Sequence, residues 1–400
     1  MKIADVRVYV LDAEWKQWVI AVVETSDGIV GIGEGTLDYR GPSVATAVSS
    51  AAEYLIGKSP FGVERHRAAL YEGYFWRGGP AEMCALSALD QALWDIAGKV
   101  MGAPVHRLLG GPYRDRIPVY LNQWYRGAES LEGLVEKAQQ AVAAGSTGLK
   151  WYPFRFLPQL EQSYVLTPPD MRRAVGEVGA IRRAVGPDID LMVDVWRRLD
   201  LTSATQFCHA IEEFNLLFVE EPVAAENPEI MCELSRSTRV RLAAGERLIS
   251  RNDFLPIIER QAVGILQPSI LRVGGLTEAR KIASMAETYV IGVAPHNPYG
   301  PIACAAAIQL SATIPNFVSL ETYANHVPAI RDEIFTRQPE ITGNYYPVLD
   351  TPGLGVEIDE NKVARLALSA WGYRKNAEKG AKSMGGAAWI EKMTPKLTKP

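Results

Sequence analysis

The first 100 residues pass from an alternating pattern of hydrophobic and polar residues to a helical pattern. Alternation typical of β-strands covers three segments, residues 3–12, 18–26 and 29–35. Ser26-Asp27-Gly28 joins the last two and is a strong hairpin-turn signal. From about residue 45 to residue 100 hydrophobic residues recur at helical spacing, until Gly102 and Pro104 end the pattern. Strands followed by helices predict a compact α+β domain over residues 1–115.

From Val119 onward, short hydrophobic segments alternate with amphipathic helical stretches. The strand-like segments are VYLNQW, TGLKWY, IDLMVDVW, LLFVEEP, VRLAAGE, VGILQPS, VIGVAPH and FVSLETY. Seven of them carry a polar residue at or near the end, namely Lys150, Asp194, Glu220, Glu246, Ser269, His296 and Glu321. From Asp194 onward these residues recur at intervals of 26, 26, 23, 27 and 25 residues, about one strand, one helix and two loops. The rhythm predicts a parallel (β/α) barrel over residues 116–325.

Two segments fall outside this rhythm. The long interval between Lys150 and Asp194 contains residues 153–170, which we interpret as an extended loop over the site. After the barrel, residues 326–400 form a third segment that is expected to pack back on the first domain. Its Lys-rich tail from Asn376 is expected to be a solvated extension.

Composition and charge exclude several functional classes. The chain is 48% hydrophobic and 22% charged, and its net charge of -4 offers no basic stripe for nucleic acid. No stretch reaches the roughly 18 uninterrupted apolar residues of a membrane span, and the start lacks a secretion signal. The four cysteines lie far apart, without metal-binding or disulfide spacing. We therefore expect a cytoplasmic protein that acts on small molecules, without a nucleic-acid or membrane partner.

Three acidic residues, Asp194, Glu220 and Glu246, follow consecutive predicted strands. In a barrel the carboxyl ends of the strands converge on one face, so these side chains should point into a common volume. A single acidic residue is usually a surface charge, but three in phase at strand ends are not expected by chance. Three carboxylates suit a hard cation such as Mg²⁺. The pattern therefore predicts a magnesium site.

The next three strand ends carry Ser269, His296 and Glu321. A histidine beside a metal-bound substrate is a natural general base, because its unperturbed pKa lies near neutrality. A hydrogen-bonded structural histidine is the alternative. Glu321 has two interpretations: a protonated side chain that hydrogen-bonds a substrate oxygen opposite the metal, or a residue that closes the barrel. A cation combined with a base suits removal of a proton α to a carboxylate, because the enediolate charge must be stabilised where it develops.

Seven segments, in order, resemble the mandelate racemase subgroup of the enolase superfamily, and within it sugar-acid dehydratases of the galactonate dehydratase kind. They are DGIVGIGEG, SALDQALWDIAGKVMGAPVHRLLGG, VEEPV, LAAGERL, ILQPS with RVGGLTEARKIASMAE, APHNPYGPIA and TPGLGVEIDENKV. The resemblance covers nearly the whole chain. It implies an α+β capping domain over a modified (β/α)₇β barrel, a homo-oligomer, and His296 as base beside Mg²⁺ bound by Asp194, Glu220 and Glu246.

The sequence departs from similar enzymes at three positions. Ser269 stands where an Asp usually orients the catalytic histidine, and a serine cannot stabilise an imidazolium comparably. Trp196 stands where dehydratases of this kind place a histidine as acid, and an indole cannot protonate a leaving group. Lys150-Trp151-Tyr152 replaces a Lys-x-Lys motif. Lys150 then either lowers the charge near the metal and binds a substrate carboxylate or has no such role, and Tyr152 either donates a proton or packs.

The leading hypothesis is dehydration of an acid sugar to a 2-keto-3-deoxy acid, in which His296 takes the α-proton and returns it to the leaving hydroxyl. Epimerisation or cycloisomerisation of a sugar acid through the same enediolate is the alternative within this class. A binding protein that has lost its activity is the alternative from another class.

Overall fold

The structure is a computed structural model that describes residues 1–14, 16–154, 163–323 and 328–368. The N-terminal domain starts with an antiparallel sheet of three strands, β1 (Ile3–Ala13), β2 (Lys16–Thr25) and β3 (Val30–Glu34). Four helices follow: α1 (Gly41–Leu55), α2 (Val63–Tyr71), α3 (Pro80–Met101) and α4 (Val105–Leu108). Helices therefore cover most of the segment of residues 45–100, as expected, although the segment is interrupted. Gly57, Gly62 and Pro80 divide it, and the first two adopt left-handed backbone conformations that end or begin a helix.

Alternating glycines on β3 let helix α3 lie directly against the sheet. A Cβ atom added to Gly33 would lie 1.8 Å from the carbonyl oxygen of Ala88, and one added to Gly31 would lie 2.2 Å from that of Ala92. These distances are far below van der Waals contact, so side chains at either position would force the helix away. The glycines of this segment therefore serve backbone packing.

The barrel follows the predicted rhythm. Within the described residues its eight parallel strands are β4 (Arg116–Leu121), β5 (Gly148–Trp151), β6 (Asp190–Asp194), β7 (Phe218–Glu220), β8 (Leu242–Ala244), β9 (Ile265–Leu266), β10 (Gly292–Val293) and β11 (Leu320–Thr322). The connecting helices are α5 (Leu131–Ala143), α6 (Pro168–Val185), α7 (Leu201–Ile211), α8 (Pro228–Ser237), α9 (Arg251–Glu259), α10 (Leu276–Thr288) and α11 (Pro301–Ser311). The strands run in the order β10-β9-β8-β7-β6-β5-β4-β11, and a parallel bridge between Val293 and Phe317 links the two ends. The fold class, a (β/α)₇β barrel with an α+β domain, is confirmed.

The interior of the barrel is hydrophobic beneath its polar end. One buried cluster fills the lumen: Tyr120, Met192, Phe218, Ala243, Ile265 and Ala294. Side chains alternate between the two faces of a strand, so residues two positions apart point the same way. Asp194 consequently lies above Met192, and Glu220 lies above Phe218, at the carboxyl end of the barrel.

The chain after the barrel returns to the N-terminal domain. Its elements are α12 (Ala329–Ile334), β12 (Phe335–Arg337), β13 (Tyr345–Pro347), β14 (Glu357–Ile358) and α13 (Glu360–Leu366). The amide of Leu354 donates to Asp95 at 2.8 Å, and Arg7 forms a 2.6 Å ion pair with Glu360. The Lys-rich tail and residues 155–162 of the predicted extended loop lie outside the described residues. In the part of the chain that is described, no helix is both long and apolar enough to cross a membrane.

Buried acidic residues fix the N-terminal domain over the carboxyl end of the barrel. Glu34 accepts hydrogen bonds from the amides of Gly300 (2.9 Å) and Ala303 (3.1 Å), at the start of α11. Asp90 accepts from the amide of Thr277 at 3.3 Å, at the start of α10. Helix N-termini have unpaired amides and partial positive charge, so carboxylates stabilise them. Helix α10 follows strand β9 and helix α11 follows strand β10, so the N-terminal domain lies beside the carboxyl ends of these strands.

The close packing of β3 on α3 predicts a large difference between two glycine substitutions. Gly33→Ala should lower the free energy of unfolding by about 1–3 kcal/mol or more, because helix α3 must move away from the sheet. Gly176→Ala is the control, since its Cβ would meet nothing within 4 Å on the exposed side of α6, and it should be neutral or stabilising by up to about 1 kcal/mol. Thermal unfolding followed by circular dichroism measures both. Equal midpoints for the two variants would contradict the close approach.

Candidate active site

Three carboxylates gather at the ends of strands β6, β7 and β8. Asp194 and Glu220 are the last residues of β6 and β7 and face each other in the ladder, and Glu246 follows β8 by two residues. Burial and the charge of Glu220, with a further contribution from Glu246, raise the pKa of Asp194 well above its usual value. Asp194 and Glu220 are therefore neighbours at the strand ends, and Glu246 adds to the same acidic surroundings.

The donor set at these strand ends fits a hard cation. Glu220 Oε1 is buried and has no hydrogen-bond partner among the described residues, which leaves an oxygen available as a ligand. In its present orientation Glu246 instead faces Arg247 at 2.8 Å and His296 at 2.9 Å. Within the described ranges no three His, Cys, Asp or Glu side chains are arranged as they stand to hold a metal ion. Rotation of carboxylate side chains is thus needed before the three could share one ion.

Lys150 lies between two buried acidic residues, Glu220 and Glu321. Its Nζ atom is 2.6 Å from Glu220 Oε2 and 3.0 Å from Glu321 Oε1, and the residue is 1% exposed. Burial alone would lower the pKa of Lys150, but the charges of Glu220 and Glu321 outweigh burial and raise it well above its usual value. Gln267 donates a further hydrogen bond to Glu220 Oε2 at 2.8 Å. Lys150 therefore remains a cation that offsets two of the acidic charges.

Glu321 accepts hydrogen bonds at both carboxylate oxygens. Asn122 Nδ2 donates to Oε1 at 2.6 Å, and the amide of Asn297 donates to Oε2 at 3.1 Å. Although burial opposes ionisation, the charge of Lys150 and the nearby imidazole of His296 lower the pKa of Glu321 below its usual value. Such surroundings favour the ionised carboxylate over the protonated form that one interpretation of the sequence requires.

His296 lies between the carboxylates and a tyrosine. Its Nε2 atom is 2.9 Å from Glu246 Oε2 and 3.9 Å from Glu321 Oε2. On the other side of the ring, the Tyr299 hydroxyl is 3.4 Å from Nδ1. Ser269 is fully buried, and its Oγ has no hydrogen bond to any described residue. The hydroxyl that contacts His296 Nδ1 therefore belongs to Tyr299 and not to Ser269.

Aromatic rings occupy the strand ends where similar enzymes carry acid and base groups. Tyr152 stacks on Trp196 with 5.2 Å between ring centroids and 25° between planes. Trp196 and Arg197 both have a φ of 53°, a left-handed conformation that non-glycine residues rarely adopt. The amide of Trp196 donates to Asp194 Oδ1 at 3.0 Å. Tyr152 therefore packs on Trp196, and the role of its hydroxyl stays a prediction.

The N-terminal domain adds residues that sequence reasoning missed. Lys16 Nζ lies 4.5 Å from the centre of the Tyr299 ring and 3.1 Å from Asp38 Oδ1. No periodic signal marks Lys16 or Asp38, because their contacts with Tyr299 and Arg272 cross from one domain to the other. Asn122 and Gln267, in contrast, follow β4 and β9, so the strand-end rule that found the acidic residues would also have found them.

Comparison with known proteins agrees with this architecture. The family model for the mandelate racemase / muconate lactonizing enzyme N-terminal domain matches residues 6–110, and the enolase C-terminal domain-like model matches residues 133–362. Fold and site together define a protein of the enolase superfamily. More narrowly, the chain belongs to the mandelate racemase / muconate lactonizing enzyme family, which confirms the resemblance seen in the sequence.

Individual proteins similar to this chain include a dehydratase and a cycloisomerase. The chain is 38% identical over 373 residues to D-galactonate dehydratase of Cronobacter sakazakii, covering 91% of this chain and 94% of that protein. A member of the enolase superfamily from Salmonella Typhimurium has a TM-score of 0.85 and 31% identity, covering 91% of this chain and 98% of that one. The 3,6-anhydro-D-galactonate cycloisomerase of Zobellia galactanivorans has a TM-score of 0.80 and 28% identity, covering 92% of this chain and all of that one.

The contacts of Lys150 predict a pH-dependent loss of stability in the variant Lys150→Met. Removing a buried cation leaves Glu220 and Glu321 unpaired, which costs about 3–5 kcal/mol when both are ionised. Their pKa values rise in the variant, so its folded state binds more protons than its unfolded state, and its stability falls as pH rises. Measured without divalent cations, the unfolding midpoint of Lys150→Met should therefore lie further below that of the parent at pH 8 than at pH 5. The exposed Lys2→Met is the control, and an equal deficit at both pH values would contradict this account.

Proposed function

We propose that the protein is a Mg²⁺-dependent dehydratase that converts an acid sugar to a 2-keto-3-deoxy acid. The observation that carries the proposal is the 2.9 Å contact of His296 with Glu246, one of the three carboxylates at consecutive strand ends. The chain is also 38% identical to a D-galactonate dehydratase. A base beside a cation site is the arrangement needed to remove a proton α to a carboxylate.

Asp194, Glu220 and Glu246 would hold the magnesium ion. When bound, the ion supplies positive charge that stabilises the enediolate formed from the substrate. Lys150 lies 2.6 Å from Glu220, so it limits the net negative charge that an anionic substrate would meet. Glu321, held by Asn122 and Asn297, stays ionised and keeps Lys150 in place.

His296 carries the proton in both halves of the reaction. Nε2 takes the α-proton, and the electron pair of the broken C–H bond moves into the enediolate. The β-carbon–oxygen bond then breaks as the departing hydroxyl takes the proton back from His296 and leaves as water. The resulting enol becomes the 2-keto acid by tautomerisation. Proton loss and hydroxyl departure therefore take place on the same face of the substrate.

The aromatic pair Tyr152 and Trp196 supports a mechanism with one acid–base residue. Trp196 occupies a strand end beside Asp194, and an indole N–H cannot protonate a leaving hydroxyl. Tyr152 stacks on that indole at 5.2 Å. Within this pair only the Tyr152 hydroxyl carries a proton that a leaving group could take, so Tyr152 is the position at which a second acid would have to act.

Cycloisomerisation of a sugar acid is the second candidate. It is favoured by the fold similarity to the 3,6-anhydro-D-galactonate cycloisomerase, at a TM-score of 0.80. Both reactions begin with loss of the α-proton, so the two candidates differ in whether water leaves.

Proton NMR in D₂O, with Mg²⁺ and a library of acid sugars that includes galactonate, tests the activity. We expect the signals of a 3-deoxy product from the parent protein and none from His296→Asn, which should still be stabilised by Mg²⁺ in a thermal unfolding assay. Glu220→Gln, as the matched control, should lose that stabilisation. A new cyclic or open-chain isomer without loss of water would favour cycloisomerisation. Full turnover by His296→Asn would exclude His296 as the base, and a parent that neither binds Mg²⁺ nor turns over an acid sugar would favour a binding protein.

Two substitutions in the aromatic pair test whether His296 acts alone. Trp196→Phe and Tyr152→Phe keep ring packing but remove the polar hydrogens. Each should retain turnover within about tenfold, which is less than the 10²–10⁴-fold that general acid catalysis typically contributes. Steady-state rates from the NMR assay provide the measurement. A loss beyond 10²-fold in Tyr152→Phe alone would identify Tyr152 as the acid instead.

A further inference from the structure

The Nδ1 side of His296 faces a tyrosine from the same loop. Tyr299 Oη lies 3.4 Å from Nδ1, and the two rings meet edge to face at 5.4 Å and 81°. The contact is long for a hydrogen bond, as catalytic contacts often are before substrate binds. Directly after the tyrosine, the amide of Gly300 donates to Glu34 at 2.9 Å. The loop that carries both rings is thus fixed by the N-terminal domain.

Two cations hold the ring of Tyr299 from separate domains. Lys16 Nζ lies 4.5 Å from the ring centre, and the guanidinium carbon of Arg272 lies 5.1 Å from it. Arg272 donates to the carbonyl of Thr36 at 2.7 Å, and Asp38 pairs with Lys16 at 3.1 Å. Both cationic side chains are less than a tenth exposed, so they have little freedom to move. Cation–π contact on this scale stabilises one ring orientation.

The buried hydroxyl of Ser269 is near enough to affect Tyr299, although no hydrogen bond joins the two in the structure. Burial raises the pKa of Tyr299 well above its usual value, while Arg272 and a contact from the Ser269 hydroxyl oppose that rise. The tyrosine therefore keeps its proton. Ser269 Oγ is buried without a hydrogen bond to any described residue, so it is available to accept that proton in a hydrogen bond.

A histidine can take a proton at Nε2 only when the neutral ring carries its own proton at Nδ1. In the structure Nε2 lies 2.9 Å from Glu246 Oε2, a contact in which Nε2 donates, so the Nδ1–H tautomer requires Glu246 to turn away toward the cation. The hydrogen bond at one ring nitrogen determines which tautomer is present. We propose that Tyr299 is a positioning residue for His296, accepting a hydrogen bond from Nδ1–H while donating its own to Ser269. This inference rests on the proposed function, in which His296 is the base. The chain Ser269, Tyr299, His296 would take the place of the acceptor that a carboxylate provides in other histidine-based sites.

The first measurement needs no substrate. Protein with ¹⁵N-labelled histidine and saturating Mg²⁺ contains five histidines, and His296→Asn identifies the resonances of His296 in long-range ¹H–¹⁵N spectra. We expect the Nδ1–H tautomer in the parent and a population shifted to the Nε2–H tautomer in Tyr299→Phe. Tyr9→Phe is the matched control, since it removes a hydroxyl bonded to Glu360 at 2.8 Å far from the site. An Nε2–H ring in the parent, or an unchanged tautomer in Tyr299→Phe, would overturn the proposal.

The second measurement is kinetic. Tyr299→Phe keeps the ring between its two cations, so a packing role alone predicts no effect. A positioning role predicts that kcat falls about 10- to 100-fold, with KM within about twofold and the stabilisation by Mg²⁺ retained. Ser269→Ala should lower kcat less, and should have no further effect in the Tyr299→Phe background. Unchanged kcat in Tyr299→Phe, or additive effects in the double variant, would overturn the chain.

The two sets of results also separate this inference from the proposed function. If no acid sugar is turned over but the tautomer changes as expected, the proposed function fails while the role of Tyr299 stands. If His296→Asn abolishes turnover and Tyr299→Phe alters neither tautomer nor kcat, the proposed function stands and the role of Tyr299 fails.

Discussion

The mutual repulsion of buried carboxylates at the open end of the barrel is the constraint on which the rest of the structure depends. Asp194, Glu220 and Glu321 are buried above a hydrophobic lumen that offers no solvation, and Glu246 beside them is only 14% exposed. In such surroundings each negative charge needs a nearby cation or hydrogen-bond donor. Lys150 meets that need for two of them, and its own complete burial is tolerable only because they are there. The site is consequently a network in which no member is independent.

The N-terminal domain contributes to the site in two ways. Glu34 and Asp90 cap barrel helices and thereby hold this domain at the carboxyl ends of the strands. From that position Lys16 reaches the ring of Tyr299, although the two residues come from different domains. The loop containing His296 is thus fixed by backbone hydrogen bonds on one side and by a cation on the other. The domain interface and the reacting groups form one continuous structure.

Sequence periodicity predicted the features that recur and missed those that do not. The in-phase strand ends located Asp194, Glu220, Glu246 and His296, because period and position in a barrel are linked. The helical spacing in the N-terminal domain indicated helices but not their boundaries, since Gly57 and Gly62 are too few to break a hydrophobic repeat in the sequence. The contact of Tyr299 with His296 could not be predicted. It depends on side-chain directions in a loop, for which the sequence carries no repeat.

The alternation along the barrel strands has an evolutionary consequence. Folding depends on the lumen residues Met192 and Phe218, whereas the charged residues occupy the next inward positions, two residues further along the same strands. A substitution at a strand end therefore changes the reactive surface without disturbing the layer that holds the barrel together. Positions such as Trp196 and Ser269 could diverge one at a time in an ancestral enzyme, each variant still folding while selection acted on its chemistry.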